Sequence, residues 1–147
     1  MVRLLRSTLT FVALGVLAAL TAACGGTTTS PSSSPPYSTT DLRLGTGTTA
    51  ITGSVVTVNY TAWLYDASKP PDQKGLEVDT STGRPAFSFT VGAAQLITGF
   101  ENGVLGMNVG GLRRVVVPPS LGYGASRSGS IPPSATLVFE IELVDVQ

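Results

Sequence analysis

The chain contains no histidine. That absence excludes Ser-His and Cys-His catalytic pairs, and with them the commonest zinc ligand. Cysteine is nearly absent as well: Cys24 stands alone, so no internal disulfide can form. Charged residues make up only 12% of the 147, and the formal net charge is zero. Nothing here resembles the basic face of a nucleic-acid binder, and no nucleic-acid partner is expected. Any chemistry this chain performs must proceed without an imidazole or a pair of thiols.

Turn-forming residues, by contrast, are plentiful. Seventeen glycines and ten prolines point to short strands joined by many turns rather than to long helices. The first 24 residues are a separate object. Arg3 and Arg6 precede an uncharged, mostly apolar run from Leu9 to Leu20, too short for a membrane span of roughly 20 residues. Small residues then lead to the lone cysteine, Leu20-Thr21-Ala22-Ala23-Cys24. This stretch resembles a bacterial lipoprotein signal, in which the peptide is cut before the cysteine and that cysteine carries lipid. It departs from the usual pattern at Thr21, where leucine is common. An ordinary secretory peptide with a leftover thiol is the other reading. Both imply export, and lipidation of Cys24 would anchor the protein at the cell envelope, on its periplasmic side or at the cell surface.

Residues 25–36, "GGTTTSPSSSPP", lack any side chain able to anchor a core. A segment of this composition is a solvated tether, and its length corresponds to a reach of roughly 20 Å. From Cys24 onward the chain carries seven basic and nine acidic side chains, a net charge near −2. Electrostatics alone would not hold it to a membrane.

Residues 37–147 read as the folded part. Two-residue alternation marks strands at 55–65, 86–92, 112–119 and 136–146, with a weaker edge candidate at 39–45. In 55–65, Val56, Val58, Tyr60, Ala62 and Leu64 share one face; the two prolines after Val117 stop the third strand. Leu96, Ile97, Phe100 and Val104 follow helical spacing, which predicts a helix of two or three turns weakened by Gly99 and Gly103. Residues 66–84 form a long polar excursion with little pattern, and loops of that size are often functional. Arg113-Arg114 reads as a solvated strand edge. The fold class is therefore α+β: a strongly twisted antiparallel sheet wrapped around one short helix.

The order "VTVNYTAWLYD", "VDTS", "FSFTVG", "QLITGFENGVLGMNVGG", "RRVVVPPSLGYGA" and "IPPSATLVFEIELVDV" resembles the FKBP-type peptidyl-prolyl cis-trans isomerases from about Leu42 to Val146. The resemblance implies a cavity in which Tyr123, between two glycines, points its hydroxyl at a substrate carbonyl. Tyr60, Asp79, Ile97 and Phe139 would complete the catalytic set, with the Ile97 N–H as second donor. Val78, Phe87, Leu96, Phe100 and Ile131 would bind substrate, Phe100 as the floor under the proline ring. Such a site implies proline-containing polypeptides as substrates and FK506- or rapamycin-like macrolides as ligands. It needs no cofactor, and a monomer is expected. The chain departs from the family pattern at Val78, where an aromatic is usual, and at Phe100, where tryptophan is most frequent. It also departs at Gln95, a common glutamate position, and at Ser130 on the rim.

Taken singly, these residues have plainer explanations. Asp79 alone suits an Asx-turn, and phenylalanines at strand spacing are more often core than pocket. Two functional classes stay open: an isomerase assisting the folding of exported proteins, and a non-catalytic lipoprotein using the same fold to bind peptides or a partner.

Overall fold

The structure is a computed structural model that describes residues 34–147. The signal-like segment, Cys24 and the tether as far as residue 33 lie outside the described residues. Six strands and one α-helix follow in chain order. They are β1 (Ser38–Arg43), β2 (Val55–Tyr65), β3 (Lys74–Thr80), β4 (Phe87–Thr90), α1 (Thr98–Val104), β5 (Leu112–Val117) and β6 (Leu137–Val146). The sheet order is β1-β5-β6-β2-β3, with β4 pairing the first half of β2, and every pairing is antiparallel. No helix among the described residues is long and apolar enough to cross a membrane.

Alternation decides which side of the sheet is dry. Val56, Val58 and Ala62 of β2 face the same core as Val115 and Val117 of β5 and Leu137, Phe139, Ile141 and Leu143 of β6. Phe100 and Val104 of α1 close that core from the concave side. The two glycines that weaken the helix are what let it settle there. A Cβ on Gly103 would lie 2.7 Å from Val115 Cγ2, and one on Gly99 would collide with Val117 Cγ1. The helix stops after two turns because Gly106, at φ +76°, takes the left-handed conformation that ends a helix without steric cost. β5 ends at Pro118-Pro119, which offer no N–H to a ladder, and the chain turns there through one 3₁₀ turn over Pro119–Leu121.

Two expectations need correction. The polar excursion at 66–84 contains β3, an edge strand whose Leu76 is 67% exposed, so it lacks the buried face that makes a strand conspicuous. Arg113 and Arg114 are not a solvated edge. β5 lies between β1 and β6, and both arginine side chains are largely covered and ion-paired: Arg113 to Asp41, Arg114 to Asp72 and Glu140. Glu140 also pairs with Lys74, whose ammonium sits 4.4 Å from the Trp63 ring centroid. Trp63 stands in a cross-strand row with Val138 and Val116 on the face opposite the core.

Candidate active site

The concave face opens into a cavity of about 400 Å³, within the range of small-ligand sites. Its floor is Phe100, 4% exposed and set edge-on to two neighbours: Tyr60 at 5.5 Å and Phe139 at 5.3 Å between ring centroids. Phe87 stands beside Tyr60 at 6.3 Å. These T-shaped contacts place ring edges against ring faces, the electrostatically preferred arrangement, so the walls hold each other in place. Phe87 is 38% exposed despite sitting two residues before the buried Phe89, because its ring reaches the opening of the cavity.

Two hydrogen-bond donors remain free on these walls. The Tyr123 hydroxyl has no partner among the described residues, and neither has the Ile97 backbone N–H. Ile97 is the N-cap of α1 with an extended backbone (ψ 138°), so its N–H precedes the helix ladder. Tyr123 is held by the turn around it. The Gly124 N–H donates to the Pro119 carbonyl at 2.9 Å, and Gly124 at φ +59° lets the chain reverse just after the ring. Ile131 forms the buried part of the rim and is pinned by reciprocal bonds with Ser128, 2.8 and 3.1 Å. A tyrosine flanked by glycines followed by Ile-Pro-Pro is thus an anchored rim.

At the mouth, the Tyr60 hydroxyl donates to Asp79 Oδ2 at 2.6 Å, and Arg84 Nη2 contacts Asp79 Oδ1 at 2.7 Å. Burial pushes the Tyr60 phenol up, and the bond to Asp79 and its charge add to that, taking it to about 12. Burial alone would raise the Asp79 carboxyl. The bonds from Tyr60, Arg84 and the Thr80 N–H outweigh it and hold the carboxyl below its ordinary value. The site therefore keeps a neutral phenol and an ionised carboxylate across the neutral range.

Tyr60, Asp79, Phe87, Leu96, Ile97, Phe100, Tyr123, Ile131 and Phe139 all line this one cavity. Val78 does not. It is the extra residue of a β-bulge between the Ala62–Asp79 and Trp63–Glu77 pairs, and its short branched side chain packs on the core without extending to the cavity surface. Ala62 and Gln95 line the cavity although sequence reasoning gave them no role; Gln95 Oε1 accepts from the Thr90 N–H at 3.2 Å. Glu101 was missed as well. Its carboxylate, on a residue only 8% exposed, accepts from the N–H groups of Gly92 (3.0 Å), Gln95 (3.0 Å) and Leu96 (3.2 Å). It ties the segment carrying Leu96 and Ile97 to the helix. Its only sequence signal was a lone carboxylate next to an apolar helical stripe. Arg84, five residues after Asp79, carried the signal of opposite charge alone.

An antiparallel sheet curls over a short helix, and its aromatic cavity has the size and the free backbone and phenol donors to take a small apolar ring with an adjacent carbonyl. Residues 47–144 match the model of the family described as FKBP-type peptidyl-prolyl cis-trans isomerase. The chain belongs to that family. It is 41% identical over 108 residues to an FK506-binding protein of Neisseria meningitidis serogroup B, covering 72% of this chain and 92% of that one. It is 39% identical to the peptidyl-prolyl cis-trans isomerase FKBP15-3 of Arabidopsis thaliana, covering 69% and 66%. Among solved structures, FkpA from Escherichia coli aligns with TM-score 0.64 and 32% identity, covering 76% of this chain and 48% of FkpA. AtFKBP13 aligns with TM-score 0.65 and 27% identity, covering 76% and 93%.

Proposed function

We propose that this isomerase acts on X-Pro bonds of exported polypeptides, assisting their folding, from a lipid anchor on Cys24 at the cell envelope. The anchor and export rest on the n-region, the apolar run and the small residues before Cys24, together with the tether that follows. The observation that carries the catalytic assignment is the pair of free donors, Tyr123 O–H and Ile97 N–H, on the walls of a cavity floored by an aromatic ring.

The chemistry needs nothing more elaborate. Turning an X-Pro bond breaks no σ-bond and transfers no proton; the barrier of ~18–20 kcal/mol is amide resonance. The planar amide is more dipolar than the twisted one. Moving it from water onto the faces of Tyr60, Phe87, Phe100 and Phe139 destabilises the ground state relative to the transition state. The proline ring rests on Phe100, while Tyr123 and Ile97 hold carbonyl oxygens on either side of the turning bond. Lowering the barrier by ~4 kcal/mol gives about a thousandfold acceleration. Asp79, tied to Tyr60 and Arg84, keeps the Tyr60 ring oriented as a wall. FK506-like macrolides, which relatives are named for binding, fit the same reading as ligands of this cavity.

Isomerisation of short X-Pro peptides, followed by NMR exchange with the full chain, tests the proposal. Acceleration by the wild type that Phe139→Ala abolishes in a still-folded protein is the expected result. A folded wild type that leaves exchange unchanged with several residues before proline would remove catalysis and leave the peptide-binding reading.

A further inference from the structure

The cavity helix is fastened to the rest of the domain at two points, one made directly by the stretch of chain that follows the tether and the other by Arg113 of β5, which that stretch braces. Tyr37 directly precedes β1, is half-buried against the core, and donates from its hydroxyl to the Gly99 carbonyl in α1 at 3.3 Å. Gly99 lies between the Ile97 donor and the Phe100 floor. At the other end of α1, Arg113 Nη1 donates to the carbonyls of Gly103 (3.0 Å) and Leu105 (3.2 Å), which are among those a helix leaves unpaired at its C-terminus. Arg113 is held by Asp41 of β1, Nε to Oδ1 at 2.6 Å.

β1 itself has little reason to stay. Each of its residues is exposed, and it lies at the edge of the sheet with β5 as its only strand neighbour. Beyond its ladder with β5 and the bonds of Arg43 to Glu142 and the Gly110 carbonyl, this segment reaches α1 directly only through Tyr37 among the described residues. Burial raises the Tyr37 phenol above its ordinary value, and the nearby Arg113 charge works against that rise. Tyr37 thus stays a neutral donor wherever the domain is folded near neutral pH.

We propose that Tyr37 is a positioning residue: the segment entering from the tether latches α1 from beneath, and that latch sets how Ile97 and Phe100 are presented to substrate. The consequence for turnover rests on the isomerase reading above; the mechanical part does not. Were Tyr37 only filling space, its loss would loosen the whole domain evenly.

The test compares Tyr37→Ala and Tyr37→Phe with Leu64→Ala, a control at the far end of β2 outside the cavity, all in the full chain. Amide hydrogen exchange is read residue by residue, alongside X-Pro exchange. The latch predicts that Tyr37→Ala speeds exchange of the Phe100–Val104 amides about tenfold more than that of β6 amides, and lowers kcat/KM about tenfold. Tyr37→Phe should recover most of the packing and stay within about threefold of wild type, since it loses one long hydrogen bond. Leu64→Ala should lower global stability with α1 exchange following β6. If α1 and β6 amides accelerate together in Tyr37→Ala, or α1 exchange is unchanged, the latch is overturned. If the wild type does not isomerise at all, the isomerase reading fails, and the exchange pattern alone decides the latch.

Discussion

The Tyr60 hydroxyl and the Asp79 carboxylate meet at 2.6 Å, and this one bond moves the two groups' pKa values in opposite directions. Tyr60 is raised to about 12, and Asp79 is held below its ordinary value of 3.8. Neither group changes protonation between roughly pH 5 and 10. kcat/KM for X-Pro exchange should therefore be flat across that interval. Asp79 contributes stability that is full above its unfolded pKa and lost as pH falls through its lower folded one. Tyr60 behaves in the opposite sense: its contribution is complete below its unfolded value of 10.0 and disappears as pH rises toward about 12. Urea midpoints measured from about pH 9 to 12, across that window, should fall less steeply in Tyr60→Phe than in wild type.

Tyr123→Phe removes one donor from a residue that is 37% exposed and whose hydroxyl has no hydrogen-bond partner among the described residues. Stability should be unchanged within about 0.5 kcal/mol. A hydrogen bond made only with bound substrate contributes about 1 kcal/mol, so kcat/KM should drop about fivefold. Denaturation and exchange assays on the same sample separate the two effects. A stability loss comparable to the activity loss would mean that Tyr123 holds its loop together instead of substrate.

Phe139 is both wall and core, 6% exposed and in contact with the Phe100 ring. Phe139→Ala should cost about 3–5 kcal/mol, and the single tryptophan, Trp63, reports unfolding from the opposite face of the sheet. Phe139→Leu keeps most of the volume and loses the aromatic face. It should remain folded with kcat/KM reduced about tenfold, a loss of about 1.4 kcal/mol of transition-state stabilisation.

Glu101→Gln tests the buried carboxylate under the Leu96–Ile97 segment. Glutamine has the same length and keeps one acceptor oxygen for Gln95 and Leu96, but its NH2 then presents N–H where Gly92 already presents one. The conflict leaves the Gly92 N–H without its acceptor, at a cost of about 1–3 kcal/mol. Urea unfolding should register the loss, and the NMR signals of residues 92–97 should broaden or shift more than those of β5. Equal shifts throughout would indicate that Glu101 serves the fold generally and not this segment.

Much of the domain is legible in the order of its residues. Strands β2, β4 and β6 show themselves because apolar residues recur at every second position along them, and β5 shows itself by its Val115–Val117 run and the prolines after it, which mark where a ladder must end. β3 is not legible in this way, because an edge strand that leaves Leu76 in water carries no such imprint. Arg113 and Arg114 mislead for the converse reason. Charge in a sequence suggests solvent, yet β1, Asp72 and Glu140 bring enough opposite charge to keep both guanidinium groups mostly covered.

The sequence by itself determined the alternating faces, because these are properties of neighbours along the chain; the aromatics of the cavity and the rim on Gly-Tyr-Gly and Ile-Pro-Pro are legible only through the family resemblance. That resemblance already names Asp79, but only the tertiary structure decided what the carboxylates touch. Asp79 at the mouth meets Tyr60 on another strand, and Glu101 accepts from N–H groups of the loop five to nine residues before it, which folds back over the helix. It also decided that Val78, next to Asp79, stays out of the cavity, since a bulge breaks the alternation from which its direction would be read. Spacing fixes what lies on one face of one element, whereas distances between elements depend on how the sheet curls over α1.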